Sequence, residues 1–189
     1  MMNEMTKQET RRSGMKTIDM VYIAVFAALM AVCSWISIPT TVPFTLQTFG
    51  VFIAVGILGG KRGTLAVLVY ILLGAVGLPV FAGFTGGLGA LLGTSGGYIV
   101  GFLFSALSMW LMEKTLGRGA IVQIVSMVVG LIVCYAFGTV WFMAVYTSQT
   151  GAVGLMTVLG WCIFPFIIPD LLKIALAFGL SNRLRRYVA

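Results

Sequence analysis

Long apolar runs alternate with short breaks along this chain, and the breaks carry most of what is polar. After an opening polar segment, residues 1–19, the first run covers about 20–38 and stops at Pro39 and Pro43. The next two cover about 47–60 and 63–82 and are parted by Gly59-Gly60-Lys61-Arg62. A stretch with seven glycines, GFTGGLGALLGTSGG at 83–97, follows and is the least helical part of the chain. Further runs at about 97–112 and 120–146 flank Glu113, Lys114 and Arg118. The last run, about 152–180, holds Pro165 and Pro169. It exceeds one simple crossing and predicts a kinked helix, or a short entry segment followed by a span. A membrane helix needs about 20 apolar residues. The pattern therefore predicts an all-α membrane protein of six transmembrane helices in a single domain, 1–189. Within it, 1–19 is a polar cytoplasmic segment, 20–180 the membrane region and 181–189 a basic cytoplasmic tail. No internal repeat is evident, which argues against an inverted-repeat transporter plan.

Composition agrees. Of 189 residues 60% are apolar and 9% charged, against about 45–50% and about 25% in soluble domains. A soluble enzyme and a disordered chain are both excluded. The net charge of +7 would suggest nucleic acid in a soluble protein, but basic loops also orient membrane proteins and meet anionic lipid. Sorting decides between these. With six spans, every Lys and Arg except Lys173 falls on one side, while the loops at 39–46, 83–96 and 147–151 carry no charge. This positive-inside pattern predicts a multi-pass protein of the cell membrane with both termini cytoplasmic, membrane lipid as a partner and no nucleic acid. Cys33, Cys134 and Cys162 lie inside apolar runs and read as small buried hydrophobes. The chain has no histidine, the commonest metal ligand, so neither metal nor resident cofactor is expected.

Topology leaves two ionisable residues unexplained. Asp170 and Lys173 stand three apart in Pro169-Asp170-Leu171-Leu172-Lys173, on one helix face. At ~1.5 Å per residue back from Arg183, Asp170 lies about 20 Å deep. A charge there costs at least about 2.5–3.5 kcal/mol. The pair is either a structural ion pair or the floor of a polar ligand cavity, and the preceding proline favours the cavity because it frees backbone groups that need partners. The glycine-rich segment contains no GxxxxGK[ST], so it is not an ATPase loop, and no strand precedes it as a dinucleotide fingerprint requires. It is either a connector or a lid, extracellular between helices 3 and 4, folding over the cavity with its backbone, Gly89 included. Phe84 and Tyr98 would offer ring faces. On the same side lie Phe44 and Thr45, and Gln47, whose amide either caps a helix or enters the cavity. Ala24, Ala27, Ala28 and Ala31 give the first span small-residue faces that suit close helix packing or a partner.

The segments VPFTLQTFGVFIAVGILGGKRG, YILLGAVGLPVFAGFTGGLGALLGTSGGYIVGF and PDLLK resemble the BioY family. These are biotin-binding S components of energy-coupling factor (ECF) transporters. The resemblance covers about residues 16–186. It implies a six-helix S component that captures biotin outside and delivers it to a transmembrane coupling protein and two ATPase subunits, which hydrolyse the ATP. It also implies that Ala24-x-x-x-Ala28 or Ala27-x-x-x-Ala31 contacts the coupling protein, and that Asp170 and Lys173 bind the vitamin. Biotin's ureido group offers N–H donors to Asp170 and an oxygen to Lys173. Alternatively Lys173 neutralises its carboxylate; depth favours the ureido. Two other readings stay open at this point: an S component for another small vitamin, and a stand-alone proton-coupled carrier with Asp170 titrating. An intramembrane enzyme is disfavoured, since no nucleophile motif or metal set accompanies the pair.

Overall fold

The computed structural model describes residues 15–188. The opening polar segment through residue 14, with Lys7, Arg11 and Arg12, lies outside the described residues. The described residues are mostly helical, with one small two-stranded hairpin and short connections. Helix α1 (Thr17–Trp35) begins where Asp19 accepts the Lys16 backbone N–H at 3.3 Å, an acid in the first turn where the helix dipole favours it. It ends at Trp35, short of the expected residue 38. Instead of a plain loop, β1 (Ser37–Ile38) and β2 (Phe44–Thr45) pair antiparallel, with Ser37 opposite Thr45. The hairpin closes back on α1 through the Leu46 N–H, which reaches the Cys33 carbonyl at 3.1 Å.

Helix α2 (Gln47–Leu58) is the centre of the molecule, buried without a break from Gly50 to Leu58. That accounts for its apolar sequence on every face. Gly59 then turns the chain with φ +81°, a value glycine adopts freely, and α3 (Gly60–Ala75) starts at once. It stops seven residues before the expected end at 82, at the positive-φ Gly77 ahead of Pro79. A short 3₁₀ turn (Ala82–Phe84) and α4 (Leu88–Leu92) follow. Helices α5 (Gly96–Leu116) and α6 (Ala120–Thr150) form a long antiparallel pair. The last apolar region divides into an entry helix, α7 (Leu155–Cys162), and α8 (Phe164–Val188), broken at Ile163. The expected tail is thus not a separate coil: residues 181–188 continue α8.

Among the described residues, four stretches are long and apolar enough to cross a membrane: Thr17–Trp35, Gly96–Leu116, Ala120–Thr150 and Leu155–Tyr187. With 12 and 16 residues, α2 and α3 fall below the usual length of about 20. Large apolar side chains such as Val25, Ile121, Val140, Ile168 and Leu176 are exposed around the perimeter, as expected where lipid is the solvent. Charges gather at one end. Asp19 pairs with Arg62 at 2.8 Å, and Glu113 accepts from Arg118 at 2.6 Å and from the Gly60 N–H at 2.7 Å. These contacts tie the start of α1, the α2–α3 turn and the α5–α6 connection together. At the other end, the hairpin, the 76–95 segment and the 147–154 connection carry no charged residue.

Helices α5 and α6 approach closely because Gly138 has no side chain. A Cβ there would enter the Tyr98 ring. Gly138→Val is therefore expected to force Tyr98 out of place, a disruption of about 1–3 kcal/mol. A thermal melt in detergent should fall by several degrees, and an unchanged melt would show that the ring has room to move.

Candidate functional site

Pro169 stands inside α8 and has no backbone N–H to donate, and the next turn carries the two buried ionisable groups. Asp170 and Lys173 are 2% and 5% exposed and form an ion pair at 2.7 Å. Three elements complete it. Asp170 Oδ1 also accepts from Thr48 on α2 at 3.0 Å, and its Oδ2 accepts from the Tyr135 hydroxyl on α6. Lys173 Nζ donates to the Thr45 carbonyl at 2.6 Å and lies 4.3 Å from the centre of the Phe44 ring. A buried charge is costly unless paired and hydrogen-bonded, and here both charges are.

The pair forms one wall of a cavity of about 220 Å³. Aromatic and aliphatic residues, among them Val42, Phe81, Ile99, Phe102 and Phe166, line the rest. This is the usual construction of a small-ligand site: mostly apolar walls with a few converging polar groups. Thr45, Gln47 and Tyr98 line it as well, as the sequence predicts. The Gln47 amide is already engaged, however. It donates to the Tyr70 hydroxyl and accepts from Thr45 Oγ1 at 3.0 Å, while Tyr70 donates to the Val80 carbonyl at 3.0 Å. Gln47 therefore fixes the wall of the cavity by binding α3. Tyr98 is held by its hydroxyl contact with Thr139 at 3.1 Å.

The glycine-rich segment supplies Ala82, Thr85, Ala90 and Ser95 to the lining, and it is anchored, not loose. Phe81 N–H reaches the Thr85 carbonyl at 2.9 Å, and Gly87 N–H reaches the Gly74 carbonyl at 2.6 Å. Three expectations need correction. Phe84 does not offer its ring to the cavity: positive φ angles at Gly83 and Phe84 (67° and 57°) turn the chain outward. The ring, 63% exposed, stacks on Trp35 at 5.1 Å. Gly89 is not in the lining; its neighbour Ala90 is. Phe44 stands behind Lys173 and against Phe166 at 5.6 Å, so it supports the pair from outside the cavity. The alternation of a strand explains this, since Phe44 and Thr45 must point to opposite sides.

Sequence reasoning missed Thr48, Tyr135, Cys134 and Cys162, all of which line the cavity. The three cysteines are free and buried. An isolated tyrosine in an apolar run looks like any core aromatic, and only its hydroxyl's need for a partner could have marked Tyr135. Among the described residues, no group of three or more His, Cys, Asp or Glu side chains is placed to hold a metal ion. The alanine faces of α1 also separate: Ala27 and Ala31 are buried in the core, 2% and 6% exposed, which removes them as docking residues. Ala24 and Ala28 are exposed on the outer face.

Residues 5–189 match the BioY family. Similar proteins include a "Probable biotin transporter BioY" of Pyrococcus horikoshii, 40% identical over 172 residues, which span 90% of this chain and 98% of that protein. A "Biotin transporter BioY" of Thermotoga maritima is 40% identical, over 89% of this chain and 96% of its own length. Among solved structures, a crystal structure of "the S-component for biotin from an ECF-type ABC transporter" superposes with a TM-score of 0.78 at 29% identity, covering 89% of this chain and 90% of that one.

If the pair is a matched unit, its halves should depend on one another. Lys173→Met leaves a buried carboxylate unpaired, at a cost of about 3–5 kcal/mol. Asp170→Leu together with Lys173→Met should melt above Lys173→Met alone. Strictly additive losses in detergent melts would show that the two groups do not stabilise each other.

Proposed function

The chain belongs to the BioY family, and from that premise we propose that it is the biotin-binding S component of an ECF-type importer. It is a multi-pass membrane protein that captures biotin outside the cell membrane and delivers it to an ATP-driven module. That module comprises a transmembrane coupling protein and two ATPase subunits, which hydrolyse the ATP. The chain itself is not an enzyme. Biotin is its cargo and it needs no resident cofactor.

What carries this reading is the hydrogen-bonding capacity that the buried pair retains toward the cavity. A carboxylate has about four lone-pair positions and an ammonium three donors. Asp170 uses three positions, on Thr48, Lys173 and Tyr135. Lys173 uses two donors, on Asp170 and the Thr45 carbonyl. One acceptor on Asp170 Oδ2 and one donor on Lys173 therefore remain. A ureido group presents the complement, with an N–H next to a C=O. The ligand's carboxylate at this place would instead meet the Asp170 charge. The fused rings thus go inward among Phe102, Tyr98 and Phe166, and the tail points to the uncharged mouth beneath the hairpin and the 81–95 segment. Electrostatics fix the orientation.

The six-crossing topology, with both termini cytoplasmic and 81–95 outside, belongs to the same proposal. Short crossings by α2 and α3 are supported by the clustering of Asp19, Arg62, Glu113 and Arg118 at one end. Docking to the coupling protein uses the Ala24-x-x-x-Ala28 register, because that face of α1 is exposed together with Val21, Val25 and Val32.

Two measurements test the proposal. Asp170→Asn should weaken biotin binding at least about 30-fold by calorimetry, the loss expected when one partner of a buried charged pair is removed. Wild-type affinity in the folded variant would refute the site. Ala24→Trp with Ala28→Trp should leave biotin binding intact while abolishing co-purification with the coupling protein. Retained co-purification would place the docking face elsewhere.

A further inference from the structure

The three helices that carry the Asp170–Lys173 network, α2, α6 and α8, meet a second polar cluster toward the charged end. Its chemistry is different. Gln123 of α6 is 9% exposed and Ser181 of α8 fully buried. Neither atom of the Gln123 amide has a hydrogen-bond partner, and neither does the Ser181 hydroxyl. Buried polar groups are almost always satisfied, and each orphan costs about 1–3 kcal/mol. The orphans converge. Ser181 Oγ and Gln123 Nε2 both crowd the position where a Gly56 side chain on α2 would begin. Beside them is a cavity of about 30 Å³ whose lining includes Gly56, Gln123, Ser126 and Met109 together with Glu113, Arg118 and Arg185; Ser181 adjoins it at Gly56 without lining it.

A water molecule needs roughly 10–15 Å³ of such space and two to four polar partners. The cavity has room for about two by that measure, and the partners are present. The Gln123 amide both donates and accepts, as does the Ser181 hydroxyl, while Ser126 already donates to the Gln123 carbonyl at 2.8 Å and keeps an acceptor. An anion would meet the Glu113 carboxylate and the Gln123 amide oxygen on the same lining as Arg185, and Arg118 is committed to Glu113. A hard cation would need several oxygens, carboxylates among them, and the Glu113 carboxylate is bound to Arg118 and the Gly60 N–H. A mixed set of donors and acceptors, with both signs of charge beside it, matches water.

We propose that the cavity lined by Gly56 and Gln123, with the Ser181 hydroxyl beside it, is a hydration site that holds water between α2, α6 and α8. The outer polar cluster on these helices is satisfied by protein groups. The inner one is satisfied by water, which links the three helices at the end opposite the ligand cavity. In a chain with so few polar side chains at depth, this makes the inner half of α8 a wet contact and the outer half a direct one.

X-ray hydroxyl-radical footprinting of the full chain in detergent tests the site, because radiolysis of a bound water generates the radical in place. Met109 lines the cavity yet is 2% exposed, and Met127 on the neighbouring helix is fully buried and does not line it. Both oxidise to the sulfoxide if a radical reaches them. Met109 should oxidise several-fold faster than Met127, and Gln123→Leu with Ser181→Ala should bring it down to the Met127 rate. Equal slow oxidation of the two methionines in the wild type would mean a dry cavity and overturn the proposal. Fast oxidation of Met109 that persists in the double variant would trace the radical to bulk solvent and overturn it too. If the double variant fails to fold, Ser181→Ala alone is read against the same two outcomes.

Discussion

A carboxylate and an ammonium buried about 15–20 Å along α8 from Arg183 impose the constraint that the rest of this protein answers. In lipid neither charge is tolerable alone, and a bare ion pair would still leave lone pairs and N–H groups without partners. The partners come from four places: Thr48 on α2, Tyr135 on α6, the Thr45 carbonyl on β2 and the Phe44 ring beside it. Their convergence explains features that otherwise look arbitrary. Helix α2 must be short and central to bring Thr48 to the pair. The chain must fold into a hairpin before it, so that the Thr45 carbonyl faces inward. Helix α6 must present the Tyr135 hydroxyl to Asp170.

The same saturation explains why the site can serve recognition. A charge pair with every position filled would be inert scaffolding, and one with many open positions would not survive in lipid. With one donor and one acceptor left, the pair would, under the proposed function, discriminate by hydrogen-bond pattern and not by charge. A ligand lacking the matching N–H and C=O would leave buried polar atoms unpaired, a penalty larger than that for a poor apolar fit. Under the proposed function, the chain supplies affinity and orientation while its ECF partners supply the energy for movement.

Much of this was legible in the sequence for one reason: charge is scarce. Once the basic residues are assigned to one side of the membrane, Asp170 and Lys173 are left over, and their spacing puts them on one helix face. The order of apolar runs likewise anticipates α1, α2, α5 and α6, and the length and prolines of the last run anticipate its division into α7 and α8. Other parts depend on contacts that no local pattern reveals. Tyr135 sits in an apolar run and reads as core until Asp170 is seen beside it. Phe84 reads as a cavity ring, but two successive positive φ angles send it to Trp35. The two alanine registers of α1 are equivalent on paper, and only the packing of the neighbouring helices buries Ala27 and Ala31 while leaving Ala24 and Ala28 exposed. The Gln123–Ser181 cluster joins residues far apart in the chain, neither of which is unusual alone.

The central claim is that biotin's ureido group meets the Asp170–Lys173 pair, with its carboxylate directed to the uncharged mouth. A crystal structure of the chain with biotin bound tests this most directly. The account predicts a ureido N–H within hydrogen-bond distance of Asp170 Oδ2 and the ureido oxygen within that distance of Lys173 Nζ. A biotin carboxylate bound to Lys173, or biotin held outside this cavity, would contradict it.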